Sequence, residues 1–139
     1  MGAINAASNF SRSSMFASMF LAITPSQEVA TNMKWSYDVS KIRIPSFMTS
    51  STGAVDSGTI APLASLKQNL TGMAPNLGGV IARRTKVDHT EVLQATDGYM
   101  TAWFAWTLKN DQQAGKVFTG PRPEIKHNPL WQDVEIKDF

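Results

Sequence analysis

Three short apolar runs, each closed by turn-forming residues, limit this chain to one kind of architecture. Phe20-Leu21-Ala22-Ile23-Thr24 ends at Pro25, Lys41–Ser50 (KIRIPSFMTS) carries Ile42, Ile44, Phe47 and Met48, and Gly79–Thr85 (GVIARRT) ends in two arginines. Each run is too short for a stable helix and has the length of a buried strand. Between the second and third lies a helical pattern, Ile60–Asn69 (IAPLASLKQN), with Pro62 in its first turn, where a missing N–H costs nothing. Strands alternating with helices predict parallel βαβ units. The expected class is therefore α/β, with about three short parallel strands flanked by helices. Pro45 cannot donate to a ladder and belongs near an end or irregularity of the second strand.

The amino-terminal stretch supports two readings. Residues 1–27 carry a single charge of either sign, Arg12, and Met15–Ile23 (MFASMFLAI) is apolar apart from Ser18. A basic residue, a short apolar run and small residues after it outline a secretory signal, although Ala22-Ile23-Thr24 is a poor small-x-small cleavage site. The alternative takes Gly2–Ala7 (GAINAA) as a small-residue helix and Phe20–Thr24 as a strand, and this reading is preferred. Residues 26–40 are polar and mixed, a loop or short helix in which Met33, Trp35 and Tyr37 could border a cleft or simply pack. Ser51–Gly58 (STGAVDSG) is a loop.

Beyond the third strand, the pattern predicts a long aromatic helix over Asp97–Leu108. Tyr99, Met100, Trp103, Phe104, Trp106 and Leu108 cover most of its surface, so it should be largely buried. Asn110 and Gln113 have capping-box spacing, which predicts a second helix to about Phe118. The Pro-rich tail then leads to an extended segment around Trp131.

Composition narrows the chemistry. The 139 residues suit one domain, and 13 basic against 11 acidic side chains leave a net charge of only +2. The densest basic group, Arg83, Arg84 and Lys86, is too small for a nucleic-acid footprint. No cysteine is present, which removes disulfides, thiolate metal sites and a cysteine nucleophile. Two histidines cannot form a histidine-rich metal cluster, and no apolar run approaches the roughly 18 residues of a membrane span.

Two loops leave the carboxyl ends of predicted parallel strands, the rim where ligands and catalytic groups collect in open α/β sheets. One carries Asp56 and the other His89. A carboxylate and an imidazole on adjacent rim loops can pair, the acid fixing the ring tautomer and stabilising the imidazolium. Locally, Asp56 could instead serve its own turn and His89 could be a solvated loop residue. Asp88 is a helix-cap candidate and not the expected orienting acid, because adjacent residues on an extended loop tend to point apart. His127, in a Pro-rich tail, reads as structural. No serine has glycine two residues before and after it, so the nucleophile-elbow pattern is absent.

Taken in order, these segments resemble the carboxyl-terminal half of an α/β hydrolase of the esterase, lipase and cutinase type. VDSGTIAPLASL (Val55–Leu66) resembles the segment bearing the triad acid, and VDHTEV (Val87–Val92) the loop bearing the triad histidine. DGYMTAWFAWTLKNDQQAGKVF (Asp97–Phe118) resembles the terminal aromatic helix and short second helix of bacterial members. Met1–Ala7 (MGAINAA) is similar to the small-residue helix that follows the nucleophile elbow, and Phe20–Thr24 to the next strand. The resemblance implies a single, incomplete domain over residues 1–139, with Asp56 as triad acid and His89 as triad base, and no cofactor or metal. The nucleophilic serine would lie just before Met1, and the chain alone would be inactive toward the small-molecule esters of the intact family. It also implies a strand without its neighbour, open to self-association or complementation by another segment. Two further readings compete: an interaction module in which Asp56 and His89 are relics, and a small secreted protein behind a signal. The strand reading favours the cytoplasm and the signal reading secretion.

Overall fold

The computed structural model describes residues 1–137 and 139. In chain order the elements are α1 (Gly2–Asn9), β1 (Met19–Leu21), α2 (Gln27–Asn32), β2 (Ser46–Ser51), α3 (Leu63–Gly72) and β3 (Gly79–Arg84). Then follow α4 (Val92–Ala95), α5 (Asp97–Lys109), α6 (Gln112–Gly115) and β4 (Trp131–Lys137). Strands β1, β2 and β3 lie side by side and parallel, and β4 runs antiparallel along the far side of β3. The fold is α/β, an open and mostly parallel sheet with helices on both faces.

Strand alternation divides the core into two layers. Across one face, Phe20 aligns with Phe47, Phe47 with Val80, and Val80 with Ile136. Against this row pack Trp103 of α5, Phe118, Ile125 and Trp131. Phe47 lies between the rings of Phe20, Trp103, Phe118 and Trp131, with centroid separations of 5.3, 5.7, 5.2 and 6.0 Å. Across the other face, Met19, Leu21, Met48 and Ile81 meet Ile4 and Ala7 of α1 and Leu66 and Leu70 of α3. Strand β2 is buried along its whole length, as a central strand covered on both faces must be. Its Thr49 hydroxyl donates to the carbonyls of Leu21 (3.0 Å) and Ala22 (2.6 Å), tying β1 to β2 where their ladder ends.

Several boundaries differ from the sequence expectation for physical reasons. Strand β1 is Met19–Leu21 rather than Phe20–Thr24, and it pairs with β2 in the sheet. Strand β2 starts only after Pro45, whose carbonyl accepts from Met19 N at 3.0 Å, while Val39–Lys41 forms a 3-10 turn. The strand count is four, not about three, because the extended tail joins the sheet as an antiparallel strand. Helix α5 is not largely buried: only Trp103 is fully enclosed, and Leu108 is 53% exposed. Asn110 ends α5 in the left-handed conformation that asparagine tolerates, and Asp111 caps α6 by accepting from Gln113 N and Ala114 N. The capping residue is therefore one position later than the spacing suggested, and α6 is only four residues long.

The two outer edges of the sheet are unlike. Strand β4 carries Gln132, Asp133, Glu135 and Lys137 and has an irregular register opposite Ile81–Arg83. Strand β1 has no charge, and beside it runs an apolar groove of about 340 Å³ lined by Gly2, Ala3, Ala6, Phe16, Phe20 and Phe104. Among the described residues, no helix is long and apolar enough to cross a membrane.

Candidate acid–base site

The carboxyl ends of β2 and β3 each lead into a tight loop, and the two loops meet over the sheet rim. After β2 the chain folds into a π turn, Asp56–Ile60, in which Ser57 N donates to Gly53 O (2.9 Å) and Ala61 N to Asp56 O (2.9 Å). This turn points Asp56 back over the end of its own strand. Its side chain is fully buried, and Oδ2 accepts from Ser51 N at 2.9 Å. The buried carboxylate thus has a backbone donor on one oxygen, which a group removed from water requires.

After β3 the chain reverses through Lys86, which adopts φ 59°. Asp88 then organises the loop. Its Oδ1 accepts from His89 N at 2.7 Å, while Glu91 accepts from Asp88 N at 3.0 Å and returns its own N–H to Asp88 O at 3.0 Å. Asp88 is committed to this local turn and does not reach the imidazole ring.

Asp56 and His89, 33 residues apart, come together. His89 Nδ1 lies 2.6 Å from Asp56 Oδ1, a short charge-assisted geometry. A carboxylate only accepts, so the proton sits on Nδ1 and the lone pair on Nε2 is left to act as a base. The ring is partly open to solvent, at 37% side-chain exposure. Among the described residues, no group hydrogen-bonds to Nε2.

Beside the ring lies a cavity of about 360 Å³ bordered by Met1, Ile23, Pro25, Val29, Met33 and Ile60 together with His89. Apart from His89, its lining carries no ionisable or hydroxyl side chain. Of the three residues considered in the 26–40 segment, Met33 borders this cavity. Trp35 is half-exposed and lies near Gly2 of α1. Tyr37 is buried beneath the cavity rim, its hydroxyl donating to Pro25 O at 2.7 Å, and burial raises its phenol above the ordinary range despite the Asn69 amide at 3.0 Å. Ile23, Val29 and Ile60 had no sequence signal as lining residues, since apolar side chains in such loops read as ordinary packing.

The turn that holds Asp56 is itself held from two sides. Gly53 packs so closely against Asp88 that an added Cβ would stand 3.0 Å from the Asp88 Cα. Ser57 Oγ accepts from Arg83 Nη1 at 3.2 Å, and Arg83 is paired with Asp133 of β4. His127 is elsewhere: it follows a 3-10 turn and borders a separate cavity of about 400 Å³ with Phe118, Pro121 and Pro123. No group of three or more potential metal ligands converges among the described residues. Such an arrangement could serve as an oriented imidazole base with an apolar recess beside it. No protein-family model matches the chain, and no curated protein sequence is significantly similar to it.

Proposed function

We propose that this chain carries the acid–base half of a serine-type hydrolase of the α/β-hydrolase kind, acting on carboxylic esters. The observation that carries the reading is the 2.6 Å contact between buried Asp56 and His89 on adjacent strand-end loops, in the order acid then histidine. In such a reaction His89 Nε2 takes the proton of an attacking hydroxyl, and the new imidazolium is stabilised by Asp56 through Nδ1. The same Nε2 then delivers the proton to the leaving alcohol, and the acyl intermediate is hydrolysed when His89 removes a proton from water. The nucleophilic hydroxyl is expected from outside these 139 residues, and the chain alone is expected to be inactive. The cavity favours a compact apolar group, because apart from His89 the side chains that line it are all apolar.

The test has two arms on the isolated chain. Long-range proton–nitrogen spectra of the imidazole should show the Nδ1–H tautomer, and a fluorophosphonate probe should label no serine. A ring found as the Nε2–H tautomer sinks the Asp56–His89 pairing. Labelling of a serine within the chain overturns the expectation of an external nucleophile.

A second reading, an interaction module that completes its sheet with another strand, draws on the uncharged β1 edge and the apolar groove beside it. It predicts a mass by light scattering that rises with concentration and falls back to the monomer in Phe20→Lys.

A further inference from the structure

We propose that Asp133 and Arg83 are positioning residues that hold the Asp56 turn in register with His89 from the far side of β3. This rests on the acid–base reading above and adds to it a support that reaches the site from the carboxyl-terminal strand.

The proposal starts from a local irregularity. The pairing of β3 with β4 is regular from Gly79 to Ile81 and shifts before Arg83, which lies opposite Gln132. The extra residue on β4 is Asp133, whose φ is 54°. Left-handed backbone at a non-glycine residue is uncommon, and a bulge re-aims the side chain it carries. Here the re-aimed carboxylate meets Arg83: Asp133 Oδ2 accepts from Nε at 2.8 Å and lies 2.8 Å from Nη2 as an ion pair. Both side chains are largely enclosed, at 15% and 29% exposure, so the pair is far less screened than a surface ion pair. Gln132 Nε2 donates to the same oxygen at 3.0 Å.

Two of the three guanidinium nitrogens being held by Asp133, the planar fork aims the third. Nη1 donates to Ser57 Oγ at 3.2 Å. That hydroxyl also donates to Thr52 O at 3.1 Å, so Ser57 joins the entry of the turn to the arginine. Ser57 directly follows Asp56, and its backbone is bonded to Gly53 O. The contacts run without a gap from the bulge on β4 through Arg83 and Ser57 to the residue beside the buried carboxylate. Because the Asp56–His89 geometry spans two loops, a turn free to rock would lengthen that bond. The arginine fork prevents the rocking.

The ion pair between Lys67 of α3 and Glu135 of the same strand provides a contrast. Lys67 and Glu135 approach to 2.7 Å, but both are well exposed and neither touches the turn. Removing that pair is expected to leave the site unchanged.

The readout is the His89 tautomer ratio, measured from ring-nitrogen spectra at mildly alkaline pH beside a thermal melt of each variant. Asp133→Asn keeps the shape and the tolerance for left-handed backbone while removing the charge. It is expected to move the ratio about tenfold toward Nε2–H, the weight of one charge-assisted hydrogen bond. Ser57→Ala, which leaves the ion pair intact, should reproduce that shift, and the double variant should shift no further than either single one. Glu135→Gln should lower the melting temperature at most slightly and leave the ratio alone. If Asp133→Asn fails to fold, Ser57→Ala decides the matter. A wild-type ratio in Ser57→Ala, or in Asp133→Asn with only its melting temperature lowered, overturns the proposal while leaving the Asp56–His89 pairing standing. A wild-type chain without the Nδ1–H form overturns both.

Discussion

Two glycines in the same loop should respond in opposite ways to the same added methyl group. At Gly53 an alanine Cβ would overlap Asp88 Oδ1 and stand 2.8 Å from its Cγ and 3.0 Å from its Cα. Swinging the carboxylate away relieves the first two contacts but gives up the 2.7 Å bond it accepts from His89 N. The third contact is with backbone and is relieved only by moving one loop off the other. Overpacking of this kind costs about 1–3 kcal/mol. With a melting entropy of about 0.3 kcal/mol/K for 139 residues, Gly53→Ala should melt roughly 3–10 °C lower. Its ring-nitrogen spectrum should also lose the Nδ1–H preference, because the same displacement pulls His89 from Asp56. At Gly58 an added Cβ meets nothing within 4 Å, and no positive φ argues for glycine there. Gly58→Ala should leave the tautomer unchanged and hold or raise stability by about 0.4–1 kcal/mol through the unfolded state. Equal melting temperatures for the two variants, with His89 unchanged in both, would refute the claim that close loop contact sets the pair's geometry.

Other perturbations have equally definite outcomes. Asp56→Ala strips the acceptor from Ser51 N and the partner from His89, and should cost about 1–3 kcal/mol in a urea titration. Phe47→Ala removes the ring at the centre of the aromatic layer and should cost about 3–5 kcal/mol, with loss of near-ultraviolet dichroism. The Tyr99 phenol is pushed up to about 12, first by burial and then by the Glu124 carboxylate to which it donates. The native chain therefore keeps a proton that the unfolded chain releases near pH 10. That stability is fully present below pH about 10 and is lost as pH rises toward about 12. Tyr99→Phe should flatten the decline, measured as the urea midpoint across that window.

The parts of the fold legible in sequence were those written in apolar runs. β2 and β3 announce themselves because both faces of a central parallel strand are covered, so β2 is apolar or small throughout and β3 is so as far as Ala82. β4 was hidden by its own bulge. Trp131, Val134 and Ile136 share one face, but the extra residue at Asp133 sets the first interval at three instead of two, and the alternation disappears. Helix α5 misled in the other direction: an aromatic surface suggests full enclosure, yet these rings meet one another and the sheet on one side only. At the site, Asp56 and His89 could be singled out because each follows a strand end. What holds them in place could not. The Ser51 N–H, the Gly53–Asp88 contact and the Arg83–Asp133 pair depend on backbone direction and on partners as much as 50 residues apart, which no local pattern encodes.

The unlike edges of the sheet would limit how far any edge-to-edge association could grow. Pairing through β1 joins two uncharged edges, while β4 meets an approaching strand with charged side chains and an interrupted ladder. A second copy added at β1 therefore leaves only β4 edges facing outward, and growth stops. Were copies of this chain to pair edge to edge, they would form a closed dimer, and a filament would require the irregularity at Asp133 to be undone first.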